Sequence, residues 1–200
     1  VQVINEQLSN IPIYDIFPDK KGNVWIATEG NGLFHYRPDG KVYSEIMLGR
    51  LLAGTISKVM TTKSGKLMVG TSEGLFIQSN AGAFRLIPGT SAFQINDFIV
   101  DEGGFLWIGT EQGLVRMQLA TWQLEVFTEE DGLPGNQISA VIQDHEGSIW
   151  MSMKKAGLIR MNAGAIYALN ETDGLENNRV NIVVEHQGSM YVGSDDGSIT

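Results

Sequence analysis

The sequence predicts an all-β fold made of repeated four-stranded sheets, and two observations lead to that prediction. Glycine accounts for 24 of the 200 residues and proline for only 5, against a usual glycine share of ~7%, so the chain needs many tight turns. One aromatic or large apolar position also recurs about every 41 residues, at Trp25, Met68, Trp107, Trp150 and Tyr191. Repeats of this length, with four short strands each, are typical of the blades of a β-propeller.

The four strands of a repeat, A to D, are predicted in order from local patterns. Strand A is a short apolar segment such as INDFIV, which is typical of a strand buried on both faces. A D-x-x-G turn leads to strand B, which carries the aromatic residue as in LWIGT; the Asp caps this turn and the Gly adopts a positive φ. Strand C begins at a Gly-Leu pair such as Gly113-Leu114, and a second turn leads into strand D, for example WQLEVF. No window has the periodicity and caps of a helix of ten or more residues.

The repeats predict one propeller domain, or a fragment of one, over residues 1–200. The four complete blades are expected at about 11–52, 53–91, 92–134 and 135–176. A partial fifth blade follows at 177–200, with a D-strand remnant at 1–10. A five-bladed ring could close by pairing residues 1–4 with 198–200, but so short a C strand pairs poorly. The sequence therefore favours a piece of a larger ring.

Charge and composition exclude several functions. The chain has 14 Lys and Arg against 23 Asp and Glu, a net charge of −9, which disfavours a nucleic-acid partner because phosphates require a basic surface. No stretch approaches the roughly 18 apolar residues of a membrane span, so no membrane insertion of this segment is expected. Cysteine is absent, which excludes disulfides and thiolate chemistry. His35, His145 and His186 occupy non-equivalent repeat positions without ligand spacing, so we expect no metal and no cofactor.

The repeats resemble a known family. Their pattern, D-x-x-G-x-[IVL]-W-[IM]-[GA]-T followed by G-L, resembles the two-component regulator propeller repeat over about residues 11–197. The stretch FTEEDGLPGNQISAVIQDHEGSIW is the strongest match, and ETDGLENNRVNIVVEHQG resembles the same D–A linker and turn. Departures are local: Met68 and Tyr191 replace the tryptophan, Ser152 and Met153 replace the small pair after it, and the linker PGTSAFQ lacks the DGL motif.

The resemblance implies an extracytoplasmic, periplasmic sensor domain of a membrane-anchored bacterial receptor. Such domains are commonly seven-bladed and precede a histidine kinase or a diguanylate cyclase. The resemblance therefore implies a non-catalytic segment that recognises a small molecule or an oligosaccharide and signals to an attached domain.

Strand order places the candidate ligand site. The A–B and C–D turns share one side of a propeller, and the B–C turns share the other side with the longer D–A linkers. Because long polar loops on a rigid scaffold often bind ligands, we expect the site on the linker side. Its candidate residues are Arg50, Asp131, Asn136, Asp173, Asn177, Asn178 and Arg179. The Asp-Gly pairs of these linkers are also good turn formers, so a purely structural role is the alternative.

The sequence is also compatible with two other functions. A propeller is a suitable scaffold for protein–protein interaction, including a homodimer. Some propellers are lyases or hydrolases, although the sequence shows no nucleophile motif, phosphate-binding loop or recurring carboxylate pair. Fold alone does not choose among these functions.

Overall fold

The structure is a computed structural model that describes residues 8, 10–44, 55–162 and 164–200. Most of the predicted D-strand remnant at 1–10, and residues 45–52 of the first predicted blade, lie outside the described residues. The chain divides into two compact units, Val1–Ala92 and Phe93–Thr200, which are described separately below.

The first unit contains two antiparallel sheets of four strands each. Its described strands are β1 (Ile13–Pro18), β2 (Val24–Thr28), β3 (Leu33–Tyr36), β4 (Val42–Ser44), β5 (Ile56–Thr61), β6 (Leu67–Thr71), β7 (Gly74–Gln78) and β8 (Phe84–Leu86). Strands β1 to β4 form the first sheet and β5 to β8 the second, in chain order. Between them lies a buried apolar core of Ala27, Leu33, Ile56, Val59, Leu67, Val69 and Phe76.

The second unit contains two further four-stranded sheets and a two-stranded sheet. Its described strands are β9 (Ile95–Val100), β10 (Phe105–Thr110), β11 (Gly113–Gln118), β12 (Leu124–Phe127), β13 (Ile138–Gln143), β14 (Ile149–Met153), β15 (Gly157–Asn162), β16 (Ala165–Leu169), β17 (Val180–His186) and β18 (Ser189–Ser194). The third sheet is β9 to β12, the fourth β13 to β16, and the fifth β17 and β18. Single turns of 3-10 helix, Glu129–Asp131 and Glu171–Asp173, lie in the linkers between sheets.

Apolar side chains join consecutive sheets of the second unit. The cluster between the third and fourth sheets includes Trp107, Leu114, Ile138, Met151 and Ile159. A smaller cluster, with Leu158, Val180, Val183 and Val192, joins the fourth and fifth sheets. The all-β prediction and its four-stranded repeat are thus confirmed, whereas the number of blades in the ring stays a prediction.

The turn between strands A and B has a role beyond the predicted cap. In three repeats the Asp that opens the turn accepts a hydrogen bond from the indole N–H of the tryptophan six residues later. The donor–acceptor distances are 3.1 Å for Trp25 and Asp19, 2.8 Å for Trp107 and Asp101, and 2.7 Å for Trp150 and Asp144. Where Met68 or Tyr191 replaces the tryptophan, Thr62 or Glu185 replaces the Asp. The two residues therefore change together in these repeats.

These hydrogen bonds also affect the carboxyl group. Burial alone would raise the pKa of Asp144, but hydrogen bonds from the Trp150 indole and from the turn backbone outweigh it and hold the pKa below its ordinary value. The same balance, with hydrogen bonds from Asn23 and Trp25, lowers the pKa of Asp19.

A β-bulge near the start of strand A recurs in all five described sheets. The residue after the bulge is Asp15, Lys58, Asp97, Ala140 or Ile182 in the successive sheets. Asp15 accepts a hydrogen bond of 2.9 Å from the backbone N–H of Val59, and Asp97 accepts one of 2.8 Å from Val141. Both carboxylates therefore connect the A strands of neighbouring sheets inside their own unit.

Candidate functional site

The two DGL linkers of the second unit have the same local structure. In the first, Thr128 caps the 3-10 turn, and the Asp131 carboxylate accepts a hydrogen bond of 2.9 Å from the Thr128 backbone N–H, completing a capping box. Gly132 ends the turn at φ 99°, a left-handed conformation that glycine adopts at little cost. The Asn136 side-chain oxygen then accepts a hydrogen bond of 3.0 Å from the Glu129 backbone N–H, which closes the loop.

The second linker repeats these contacts with different residues. Asn170 is the cap, and Asp173 accepts a hydrogen bond of 3.1 Å from its backbone N–H. The Asn178 side-chain oxygen accepts a hydrogen bond of 2.9 Å from the Glu171 backbone N–H. The linkers are therefore fixed loops whose conformation their own side chains determine.

The structure assigns local contacts to most of the predicted site residues. Asp131 and Asn136 hold the first linker, and Asp173 and Asn178 hold the second. Binding by these four residues remains a prediction, and it would have to use the atoms that the loop contacts leave accessible.

Asn177 and Arg179 lie at the end of the second linker. The Asn177 amide donates a hydrogen bond of 2.9 Å to Asp196, and its side-chain oxygen accepts one of 2.8 Å from the Arg179 backbone N–H. Hydrogen bonds from Asn177 and Ser198 lower the pKa of Asp196 to about 2. The Arg179 side chain is exposed, and no ion pair involves it among the described residues. Arg50 lies outside the described residues.

A polar cavity of about 460 Å³ adjoins the first linker. The linker contributes Glu129, Pro134, Gly135, Asn136 and Gln137. The B–C turns of the third and fourth sheets contribute Glu111, Lys154, Lys155 and Ala156, and the end of β14 contributes Met153. Asn136 is thus the predicted site residue that lines it. The B–C turns were predicted to share this side, but short turns carry no sequence signal that singles out their charged residues for binding.

The charged groups of the cavity are arranged across two sheets. Lys154 forms an ion pair of 3.3 Å with Glu111, and the Asn96 amide donates hydrogen bonds to Glu111 at 2.9 Å and to the Ile138 carbonyl at 2.8 Å. Lys155 is exposed and has no ion pair within the described ranges. The cavity therefore offers ammonium, carboxylate and amide groups that can bind a ligand rich in hydroxyl or acidic groups.

Across residues 8, 10–44, 55–162 and 164–200, no group of three or more His, Cys, Asp or Glu side chains is placed to hold a metal ion. In the same ranges, no helix combines the length and apolar character needed to cross a membrane.

Comparison with known structures identifies the fold as a β-propeller built of four-stranded blades. The extracellular domain of a hybrid two-component system of B. thetaiotaomicron matches with a TM-score of 0.81 and 21% identity over 96% of this chain. The extracellular domain of a one-component system of the same organism matches with a TM-score of 0.79 and 22% identity over 94%. Virginiamycin B lyase of Staphylococcus aureus also matches, with a TM-score of 0.71 and 15% identity over 96% of this chain and 71% of that protein.

Two segments of the chain match the two-component regulator propeller family. The model of that family matches residues 7–30 and 132–155, which confirms the resemblance seen in the sequence. No curated protein matches the chain by sequence. The chain spans only 27% and 26% of the lengths of the two B. thetaiotaomicron domains.

Proposed function

We propose that this chain is part of a ligand-sensing, extracytoplasmic propeller of a membrane-anchored bacterial receptor. It binds a small molecule or an oligosaccharide on the linker side of its blades, catalyses no reaction itself, and signals to an attached kinase or cyclase. The two-component regulator propeller repeats and the similarity to extracellular domains of signalling proteins support this proposal. At this level of identity the similar structures establish the fold alone, so the proposal depends on the site.

The observation that carries the proposal is the polar cavity beside a linker of fixed conformation. Capping contacts define the backbone of residues 128–137 before any ligand arrives, and a preorganised loop loses less entropy on binding. Cavities of a few hundred Å³ with a small number of placed polar groups are typical of small-molecule sites. Lys154, Lys155 and Glu111 supply charged groups, and the amides of Asn136 and Gln137 can both donate and accept hydrogen bonds.

Thermal unfolding in the presence of defined sugars tests the proposal. Mono- and disaccharides, neutral and uronic, are added singly to the 200-residue chain, and any ligand that raises the Tm is then measured by calorimetry. A ligand at 100 times its Kd stabilises the folded state by about 2.7 kcal/mol, which is an easily measured shift. If no sugar in the panel raises the Tm, the oligosaccharide assignment is refuted.

The variant Lys155→Gln tests whether the ligand binds in this cavity. It removes an exposed ammonium group without disturbing the linker contacts, and we expect it to weaken binding of an acidic sugar several-fold. Lys41→Gln is the matched control, because Lys41 is an exposed lysine in the turn between β3 and β4. Equal affinity in both variants would contradict binding at the linker side.

Exposed apolar side chains favour a second candidate function, protein–protein association. On β1, Ile13, Tyr14 and Ile16 are 45%, 54% and 59% exposed. On the fifth sheet, Ile182 and Tyr191 are 55% and 48% exposed. Large exposed apolar patches mark interaction surfaces in soluble proteins. Sedimentation of the chain at high concentration tests this function, and a strictly monomeric chain would contradict it.

A further inference from the structure

A groove lies between the third and fourth sheets, outside the linker cavity. It has a volume of about 630 Å³. One wall is formed by Trp107 and Phe127 of the third sheet, whose rings lie 6.4 Å apart between centroids and are inclined by 22°. The other wall is apolar, with Ile149, Met161 and Ile166 of the fourth sheet.

The side chain of Arg116 lines this groove. Its guanidinium carbon lies 4.4 Å from the centroid of the Phe105 ring and 5.6 Å from that of Trp107, so cation–π contacts hold the side chain in place. The guanidinium makes no hydrogen bond and no ion pair with any described residue. A guanidinium carries five N–H donors, and a half-buried one without an acceptor is available for a ligand.

In the fourth sheet, the equivalent arginine has hydrogen-bond acceptors. Arg160 holds the equivalent position, 5.5 Å from the Trp150 ring, and it donates hydrogen bonds to Ser148 at 2.9 and 3.1 Å and to Glu146 at 2.8 Å. In the third sheet, Phe105 occupies the position of Ser148, and Gly103 occupies that of Glu146. The third repeat thus keeps the arginine and replaces both acceptors with residues that cannot accept a side-chain hydrogen bond.

Two carboxylates line the same groove as Arg116. Glu125 is the cross-strand partner of Arg116, and such partners have Cβ atoms about 4.5–5.5 Å apart. Glu125 is exposed and is not ion-paired with Arg116 in the structure. Asp131 also lines the groove. A smaller hollow of about 270 Å³, lined by Phe105 and Gln118, borders the same Arg116 and Glu125.

Charge determines which ligands are compatible with this groove. In residues 93–200, five Lys or Arg side chains stand against sixteen Asp or Glu, a net charge of −11. A simple anion is therefore repelled by the unit as a whole, and a simple cation is repelled by Arg116. A dipolar ligand satisfies both neighbouring charges at once, provided that its own two charges lie only a few ångströms apart.

From this geometry we propose that the groove binds an α-amino acid with a large apolar side chain. The ligand carboxylate accepts hydrogen bonds from Arg116, and its ammonium group donates to Glu125. The apolar side chain lies between the Trp107–Phe127 wall and Ile166. A charge-assisted, bidentate contact of this kind gives both affinity and orientation.

Indole NMR signals provide the test. L-Phenylalanine is titrated into the 15N-labelled chain, with N-acetyl-L-phenylalanine and L-phenylalaninamide as probes that each lack one charge. We expect L-phenylalanine to shift the Trp107 indole signal, identified by Trp107→Phe, and to leave that of Trp25 unchanged. We expect each singly charged probe to bind at least about tenfold more weakly. Absence of any shift at millimolar L-phenylalanine, or equal binding of the three probes, would overturn the proposal.

Variants assign the contacts. Arg116→Gln and Glu125→Gln should each weaken L-phenylalanine binding about tenfold or more, and Arg116→Lys, which keeps the charge but loses the bidentate contact, should fall between. Arg85→Gln removes an exposed guanidinium in β8 and is the control for unspecific charge effects. Thermal unfolding of each variant separates loss of binding from loss of folding. Lys155→Gln should not affect this binding, so the groove and the linker cavity can fail independently.

Discussion

The hydrogen bond between Asp101 and the Trp107 indole gives the sharpest test of the blade structure. Asp101 is 8% exposed; one carboxylate oxygen accepts from the Phe105 backbone N–H at 2.8 Å, and the other accepts from the indole at 2.8 Å. Asp101→Asn leaves a single acceptor, which can keep the turn but not both contacts. A buried donor without a partner costs about 1–3 kcal/mol, so we expect the free energy of unfolding to fall by about that amount.

A double-mutant cycle isolates the indole contact. A Trp107→Phe background has no indole N–H that needs an acceptor. In that background Asp101→Asn should therefore lower the free energy of unfolding by less than about 1 kcal/mol, which gives a coupling energy of about 1–2 kcal/mol. Urea unfolding followed by circular dichroism measures all four chains. Asp39→Asn is the control, since Asp39 is exposed and, among the described residues, accepts hydrogen bonds from the Lys41 backbone and the Tyr43 hydroxyl. Equal costs in both backgrounds would refute the reasoning.

Three further predictions concern a turn, a contact between sheets and an ion pair. Gly113→Ala should lower the free energy of unfolding by about 2–3 kcal/mol, because Gly113 has φ 130° and an added Cβ would overlap the Phe127 carbonyl oxygen at the end of β12. Gly104→Ala, with φ 83° and open space, should cost less in the same urea titration. Asp97→Ala should cost about 2 kcal/mol by thermal or urea unfolding, because it leaves a buried backbone N–H of the neighbouring sheet without its acceptor; a neutral effect would contradict that contact. The Glu185 carboxylate, 2.5 Å from the His145 ring, raises the pKa of that histidine above 6.5. The stabilisation of the fold by this pair is therefore complete below pH 6.5 and is lost as the pH rises through the raised pKa. NMR titration should show the His145 pKa returning toward 6.5 in Glu185→Gln.

Much of the fold was predictable because the same local sequence patterns recur in several repeats. The D-x-x-G turn, the Gly-Leu start of strand C and the apolar strand A are local signals, and each recurs at one period. The bond between Asp101 and Trp107 was not predicted, although the shared loss of the pair at Thr62 and Met68 is a signal that could have indicated it. The bulge that brings Asp97 to the next sheet has no such local mark, because its partner lies 44 residues away.

The candidate site was predictable only in part. The linkers were predicted as long polar loops that bind a ligand, with a purely structural role as the alternative. How many of their side-chain atoms are committed to capping depends on the folded backbone. Arg50 lies outside the described residues, and the other predicted residues remain candidates. Glu111 and Lys154 were not predicted as site residues, because short turns have similar sequences whether or not a cavity lies beside them.

The sequence by itself determined the repeat, the order of strands within each four-stranded sheet and the fold class, because turns, strand length and apolar patterning are local properties. Only the tertiary structure decided which polar groups have partners. Arg116 and Arg160 occupy equivalent positions in two repeats, yet Arg160 donates hydrogen bonds to Ser148 and Glu146 and Arg116 lies in an open groove. The third repeat has Phe105 and Gly103 where the fourth has Ser148 and Glu146, and only the folded strands show that these positions lie within reach of the arginine.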